Sequence, residues 1–440
     1  HSRLSCRFLS AHSRLSSFTC TNALMSKLSK DDDYYRRRQT AKLEHLPFDV
    51  ESWYPRLREH TFATWHVPLT PDEARAITNY YRRRFIATSP EARSYRCLTV
   101  EYAQTLRALE ARIDQLLREA SAECASASPS FFVRLSSRSP KDAPPWPPSR
   151  LSASLDAQLA AVDEREASLR SAARERLLGQ DAESSAEALE SAAQLAVDNA
   201  RMIAVAHAQF DTLALSTAEE AMHRICTSER VFVDLLLALD NCELDDDQWS
   251  VNVIVRRWDD RVRDDYEFRG FVCRDRLVAI SQYNHYCYYE QLQAEQARIR
   301  AAIETFWPSV HPLVAMNEYV MDFAVLRGSA DGKLSVRIIE LNPFATTTGG
   351  ALFNWSRDHD LLYALDEERQ LEMRVLAAPH RSIGSLVEES QRFVREICGK
   401  GEDARQQWQP YTALLDEIEK EHCEGGSPGK GSKSGNCLVQ

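Results

Sequence analysis

Two acidic side chains and one amide stand where they can share a cation. Asp322 lies in the apolar stretch 318–326, and Glu340 and Asn342 lie in a second one, 335–344. Both stretches are rich in Val, Ile and aromatic residues, and Asp331-Gly332 falls between them, which predicts a β-hairpin. Folding about that turn brings Asp322 within about one residue of facing Glu340. Alternation along a strand puts Asn342 on the same face as Glu340. An all-oxygen set of this kind suits a hard cation such as Mg²⁺, which keeps waters and binds substrate phosphates. The same geometry is equally that of a salt bridge, with Glu340 paired to an arginine. In either case, Asp322 between Met321 and Phe323 needs a cation if it is buried.

Basic residues stand on the elements before this hairpin. Arg134 closes a strand-like run, 130–135, and Lys141 lies in the polar turn that follows, where backbone N–H groups and cations favour anions. Solvated loop charges would look the same. Arg256 lies near the end of a strand in which Val251, Val253 and Val255 alternate with Asn252 and Ile254. Residues 266–272 and 277–283 form a hairpin about 274–276, with Glu267 and Arg269 on one face. Residues 231–240 read as a buried strand or a short helix, ending at Asp240. Arginines in rows on a mostly antiparallel sheet, with acids at the end, are parts from which a nucleotide-phosphate site can be built.

The rest of the chain has to position these groups. At 440 residues it is long enough for two or three structural units. A formal net charge of −11 argues against a general nucleic-acid binder. The 11 cysteines include no C-x-x-C pair or zinc-spaced cluster, so they read as reduced thiols. No apolar run reaches the about 18 residues of a membrane span. Thr70-Pro71 caps one predicted helix, and residues 100–119 form another. An Ala- and Glu-rich segment, 151–215, reads as an inserted helical hairpin, and 291–307 as an amphipathic helix.

The expected organisation is an extension over 1–45, a first part of the main domain at 46–150, the insertion at 151–215, a core at 216–360 carrying the site, a helical segment at 361–421, and a flexible tail at 422–440. Residues 1–30 have the arginine- and serine-rich, acid-free composition of an organellar transit peptide; the preferred reading makes Met25 the true start. The tail ends Cys437-Leu438-Val439-Gln440, the form of a prenylation signal, with Gln favouring farnesyl. One lipid beside only Lys430 and Lys433 would hold a membrane weakly and reversibly. A cytoplasmic location is expected.

Ordered motifs between residues 48 and 355 resemble the cell-division-cycle-123 family. They are Trp53-Tyr54-Pro55, Arg134-Leu135-Ser136 with Ser139-Pro140-Lys141-Asp142-Ala143, Val255-Arg256-Arg257-Trp258, Glu267-Phe268-Arg269-Gly270-Phe271-Val272, Ile280-Ser281-Gln282, Met321-Asp322-Phe323, Ile339-Glu340-Leu341-Asn342-Pro343-Phe344 and Leu352-Phe353-Asn354-Trp355. The resemblance implies an α+β, ATP-grasp-like fold in which two subdomains enclose Mg-ATP. It also implies an assembly chaperone, rather than an enzyme, that binds the gamma subunit of eukaryotic translation initiation factor 2. Carried over by position, Asp322, Glu340 and Asn342 would hold magnesium. Arg256 and Arg269 would contact phosphates, Arg134 and Lys141 would stand beside them, and Asp240 would border the nucleotide. The chain departs from the family's usual residues at Arg134, Leu237, Tyr283 and Glu340; Leu237 and Tyr283 each remove a positive charge. The alternatives are an ATP-grasp ligase that forms an acyl phosphate, and a lipid-anchored scaffold with a degenerate nucleotide site.

Overall fold

Along 252–257, buried valines alternate with Asn252, Ile254 and Arg256, giving a strand with one apolar face and one mixed face. A computed structural model describes the protein at residues 46–86, 98–124, 129–242, 249–328, 332–366, 368–398 and 409–425. The extension 1–45, Asp331 of the hairpin turn and the tail bearing Cys437 lie outside the described residues.

The described residues hold two sheets. The smaller comprises β1 (Thr64–Pro68), β2 (Phe131–Leu135) and β3 (Asn252–Arg257), antiparallel in the order β1-β3-β2. The larger contains β4 (Glu267–Cys273), β5 (Arg276–Gln282), β6 (Tyr319–Arg327), β7 (Leu334–Asn342) and β8 (Glu372–Arg374), in the order β7-β6-β4-β5-β8. All its pairings are antiparallel except β5 with β8. This is the mixed α+β class expected, with two largely antiparallel sheets.

Helices α1 (Val50–Leu57), α2 (Pro71–Tyr81) and α3 (Val100–Ala122) flank the first strand. After β2 come α4 (Ser149–Gln180), α5 (Ala186–Asp211), α6 (Ala218–Thr227) and α7 (Glu229–Cys242). Helix α8 (Glu290–Val314) joins β5 to β6, and α9 (Ile383–Cys398) and α10 (Tyr411–Gly425) follow β8. Thr70 closes a capping box with Glu73 and Pro71 opens the first turn, so α2 starts where the sequence places it. Residues 231–240 are helical: Val231, Phe232, Leu235 and Leu239 are buried at helical spacing, while Leu237 faces solvent. Within 361–421, which reads as helical from sequence, three residues instead form β8 on the edge of β5.

Each sheet has its own core. Val133, Leu135, Val253 and Val255 pack with Leu106 and Leu109 of α3, Ile225 of α6 and Leu415 of α10. On the larger sheet Phe268, Ile280, Met321, Phe323 and Ile338 pack against Leu292, Ile299 and Ile303 of α8. Helices α4 and α5 form an antiparallel pair packed on α9 through Leu155, Val205 and Val394. The side chain of Asn199 ties α5 to the core, donating to the Tyr288 carbonyl at 2.8 Å and accepting from its N–H at 2.9 Å.

Gly270 on β4 measures how tightly the larger sheet is packed. A Cβ there would sit 2.7 Å from the Phe323 ring and 3.1 Å from Leu277 Cδ1, so Phe323, which is fully buried, would have to move. Gly270→Ala is expected to lower unfolding free energy by about 1–3 kcal/mol in a denaturant titration, and an unchanged midpoint would contradict this packing.

Candidate functional site

Pairing across three neighbouring strands fixes the site's central row. Arg269 on β4 faces Asp322 on β6, and Asp322 faces Glu340 on β7. Ser281 on β5 extends the row from the other side of Arg269. Side chains at facing positions lie on the same side of a sheet, and this side looks toward β2 and β3. The register shifts between Asp322 and Phe323, so Ile339 falls outside the regular pairing. Its carbonyl accepts from Arg256 Nη1 at 2.5 Å, and the neighbouring Ile338 carbonyl accepts from the Thr61 hydroxyl at 2.7 Å. The Arg256 bond ties the larger sheet to the smaller one, and the Thr61 bond ties it to the segment before β1.

The expected side chains meet at that seam. Arg269 grips Asp322 with two bonds, Nε to Oδ1 at 2.8 Å and Nη2 to Oδ2 at 2.7 Å, and donates Nη1 to the Gly349 carbonyl at 2.6 Å. Arg134 reaches across from the smaller sheet to Glu340 Oε2 at 2.5 Å. Asn342 Nδ2 donates to Asp322 Oδ2 at 3.3 Å and to Glu340 Oε1 at 3.4 Å, so its amide nitrogen faces the two carboxylates. The three residues of the hairpin therefore meet in one place, with the two carboxylates bonded to arginines and to the Asn342 amide nitrogen.

Neighbouring motifs hold these groups in place. Trp53 is fully buried, with the Arg256 guanidinium 5.7 Å from its ring; the Tyr54 hydroxyl accepts from the Thr64 N–H at 3.0 Å. The turn bearing Lys141 is anchored through Asp142, which accepts from the Ser228 hydroxyl at 2.6 Å and the Arg230 N–H at 3.1 Å, where α7 begins. Tyr283 stands between two cations, with its ring 5.2 Å from Lys141 Nζ and 4.9 Å from the Arg269 guanidinium. The aromatic face attracts both cations electrostatically. Asp240 remains on the last turn of α7, half-buried, and Leu237 is exposed on the same helix; α7 packs on α2 and α6.

Glu267 belongs to the cluster as well, although it is not among the predicted site residues. The shared face of Glu267 and Arg269 was the signal that could have found it. It is 6 % exposed. Burial is the largest influence on its pKa and raises it; Lys141 pulls it back, and the negative charges of Asp322 and Glu340 push it up again, to about 7. Burial also works against charge on Glu340, but Arg134, Lys141 and Arg269 outweigh it and hold its carboxyl well below the usual carboxylate range. Lys141 is held above its ordinary value because Glu267 and Glu340 outweigh its burial. Arg256 is pushed down to about 9 by burial and by the charge of Arg134.

The cluster has more cationic than anionic groups. Lys141, Arg134, Arg256 and Arg269 face Glu267, Asp322 and Glu340, and Glu267 is only partly ionised near neutrality. Arg256 Nη2 is buried without a hydrogen-bond partner among the described residues. A buried unmet donor is uncommon and costly. These features fit a polyanion with a divalent cation: the carboxylates for the metal, the guanidinium and ammonium groups for phosphates. Elsewhere, His207, Asp264 and Asp265 also lie close enough to share a cation. There Asp265 is already engaged by Arg263 and Gln291, and Asp264 by Tyr289.

Comparison with known proteins bears on the same region. The D123 family model matches residues 205–395, a span that includes β3 through β8. A "Translation initiation factor eIF2 assembly protein" of Vanderwaltozyma polyspora is 25% identical over 173 residues, 38% of this chain and 45% of that protein. The protein of the same name from Xenopus tropicalis is 30% identical over 103 residues, 23% of this chain and 29% of that one. The chain thus spans less than half the length of these curated relatives. The structure of Cdc123 from Schizosaccharomyces pombe aligns with a TM-score of 0.45 at 20% identity, covering 76% of this chain and 96% of that one.

The Glu267 proton gives a pH signature. The folded chain keeps it up to about pH 7, whereas an unfolded glutamate releases it near the ordinary 4.5. Between these values the folded state binds more protons, so this residue's contribution makes stability fall as pH rises. For an isolated group the change is on the order of 3 kcal/mol. Glu267→Gln should therefore gain stability relative to wild type from about pH 4.5 to 7 and no further above it. Urea titrations across that range check this, and a constant difference would remove Glu267 from the buried cluster.

Proposed function

We propose that this chain, whose residues 205–395 match the D123 family model, is an ATP-binding assembly factor for eukaryotic translation initiation factor 2, working through that factor's gamma subunit. The convergence of Asp322, Glu340 and Asn342 with Arg134, Arg256, Arg269 and Lys141 on one seam carries the nucleotide part of this reading. The name the relatives carry supports the assembly part. Asp322, Glu340 and Asn342 would hold magnesium; Arg256 and Lys141, which have unmet donors or no ion pair among the described residues, would meet phosphate, joined by Arg134 and Arg269. Bound there, Mg-ATP supplies the negative charge that the cations need and a metal for the carboxylates.

What this chain's residues do in that setting is to join two sheets. Arg134 and Arg256 come from the smaller sheet, and every candidate metal ligand comes from the larger. A ligand gripped from both sides would stiffen the seam and present a defined surface to a protein partner. Assembly, rather than bond cleavage, is the function such a clamp serves. The described helices include none long and apolar enough to cross a membrane.

Isothermal calorimetry with Mg-ATP is expected to give saturable heat for the wild type and at least about tenfold weaker binding for Asp322→Asn, since one good charge-assisted contact is worth about 1.5–3 kcal/mol. Equal affinities would overturn the metal assignment. In a pull-down with purified subunits, the gamma subunit is expected to be retained in preference to alpha or beta, and failure to retain it at micromolar concentration would overturn the partner.

A further inference from the structure

The two carboxylates best placed for a metal are held by two of the three arginines placed for phosphate. Asp322 has no exposure, and both its oxygens are taken by Arg269. Glu340 Oε2 is taken by Arg134, itself only 5 % exposed. These are closed, internally neutralised pairs, and opening one without replacing both partners leaves a buried charge unmet, which is strongly unfavourable. The pairs also come from different places: Arg269–Asp322 lies within the larger sheet, whereas Arg134–Glu340 crosses the seam.

Resting on the Mg-ATP reading above, we infer that the ion pairs Arg134–Glu340 and Arg269–Asp322 form an exchange latch that admits metal and polyphosphate only together. A metal ion entering alone would draw the carboxylates from their arginines. It would then stand as a dication among Lys141, Arg134, Arg256 and Arg269. A polyphosphate entering alone would draw off the arginines and leave Asp322 and Glu340 as buried carboxylates beside a larger negative charge. When both enter, every group changes partner and none is stranded: the carboxylates pass to the metal and the guanidiniums to phosphate. Each ligand removes the obstacle to the other, and linkage makes that coupling reciprocal. Glu267 is the internal contrast. It lies in the same cluster with no salt bridge to an arginine among the described residues, so removing its charge changes the local field and opens no pair.

The latch is tested on the full-length chain by calorimetry with three probes: MgCl₂ alone, ATP in excess EDTA, and Mg-ATP. Wild type is expected to bind Mg-ATP about 50-fold or more tighter than metal-free ATP, within the usual range of coupling between sites. Glu340→Gln frees Arg134 and removes one stranded carboxylate. Its affinity for metal-free ATP is expected to rise while that for Mg-ATP falls, so the ratio collapses by about tenfold or more. Glu267→Gln removes a carboxyl of the same cluster without opening an arginine pair and is expected to move the ratio by less than about threefold. A Glu340 that only binds metal would lower Mg-ATP affinity and leave metal-free ATP unchanged; that outcome overturns the latch, as does an equal collapse in Glu267→Gln. If Glu340→Gln does not fold by circular dichroism, Arg134→Gln tests the other half. It frees the carboxylate, and binding of MgCl₂ alone is then expected to tighten, with no tightening counting against the latch. Absence of wild-type binding to Mg-ATP would instead overturn the nucleotide reading itself, so the two failures are distinguishable.

Discussion

Four cationic and three acidic groups share one buried seam, and its acids are held there by the opposite charges beside them. Isolated, any of them would face a desolvation penalty of several kcal/mol. The row Arg269–Asp322–Glu340 is paired by strand register and completed by Arg134 from the other sheet. The local architecture follows from that requirement. The β6–β7 bulge leaves Ile339 out of the ladder and turns its carbonyl to Arg256, while Thr61 binds the next carbonyl. Thus the seam satisfies its backbone groups as well as its charges, except at Arg256 Nη2, where a partner is owed.

Around the seam the protein is built to hold still. Each sheet packs an apolar face on helices, and the side of the larger sheet that carries Asp322 also holds Phe271 and Val320 in a further apolar cluster with Phe353 and Leu362. The loop after β7 is equally constrained. Arg269 holds Gly349, the Trp355 indole donates to Thr348 at 2.7 Å, and a Cβ on Gly350 would lie 2.3 Å from the Phe353 carbonyl. The paired helices α4 and α5 lie on α9, so the insertion is tied to the closing elements of the chain.

The two positions where the chain lacks an expected positive charge have different consequences. Tyr283 replaces charge with an aromatic face placed between Lys141 and Arg269, so it screens two like charges that would otherwise repel. Leu237 lies on the exposed side of α7, and nothing in the structure explains the choice of leucine there.

Local chemistry alone determined much of this protein. The β6–β7 hairpin, the capping box at Thr70, the alternation along β3 and the pairing of α4 with α5 are set by periodicity and turn residues within a few positions, which is why they are legible from sequence. The approach of Asp322 to Glu340 was legible to within one residue: the register running from the turn pairs Phe323 with Ile338 and would set Asp322 opposite Ile339, and the bulge moves it to Glu340. Only the tertiary structure decided the rest. Residues 231–240 carry an apolar run that suits either helix or strand, and packing against α2 chose the helix. The edge of β5 recruited residues 372–374 as a strand. Above all, Arg134 lies 206 residues from Glu340, and no local pattern can state that the carboxylates suited to a metal are closed by the arginines suited to phosphate. That pairing depends on the two sheets meeting, and its strength comes from the burial they create together.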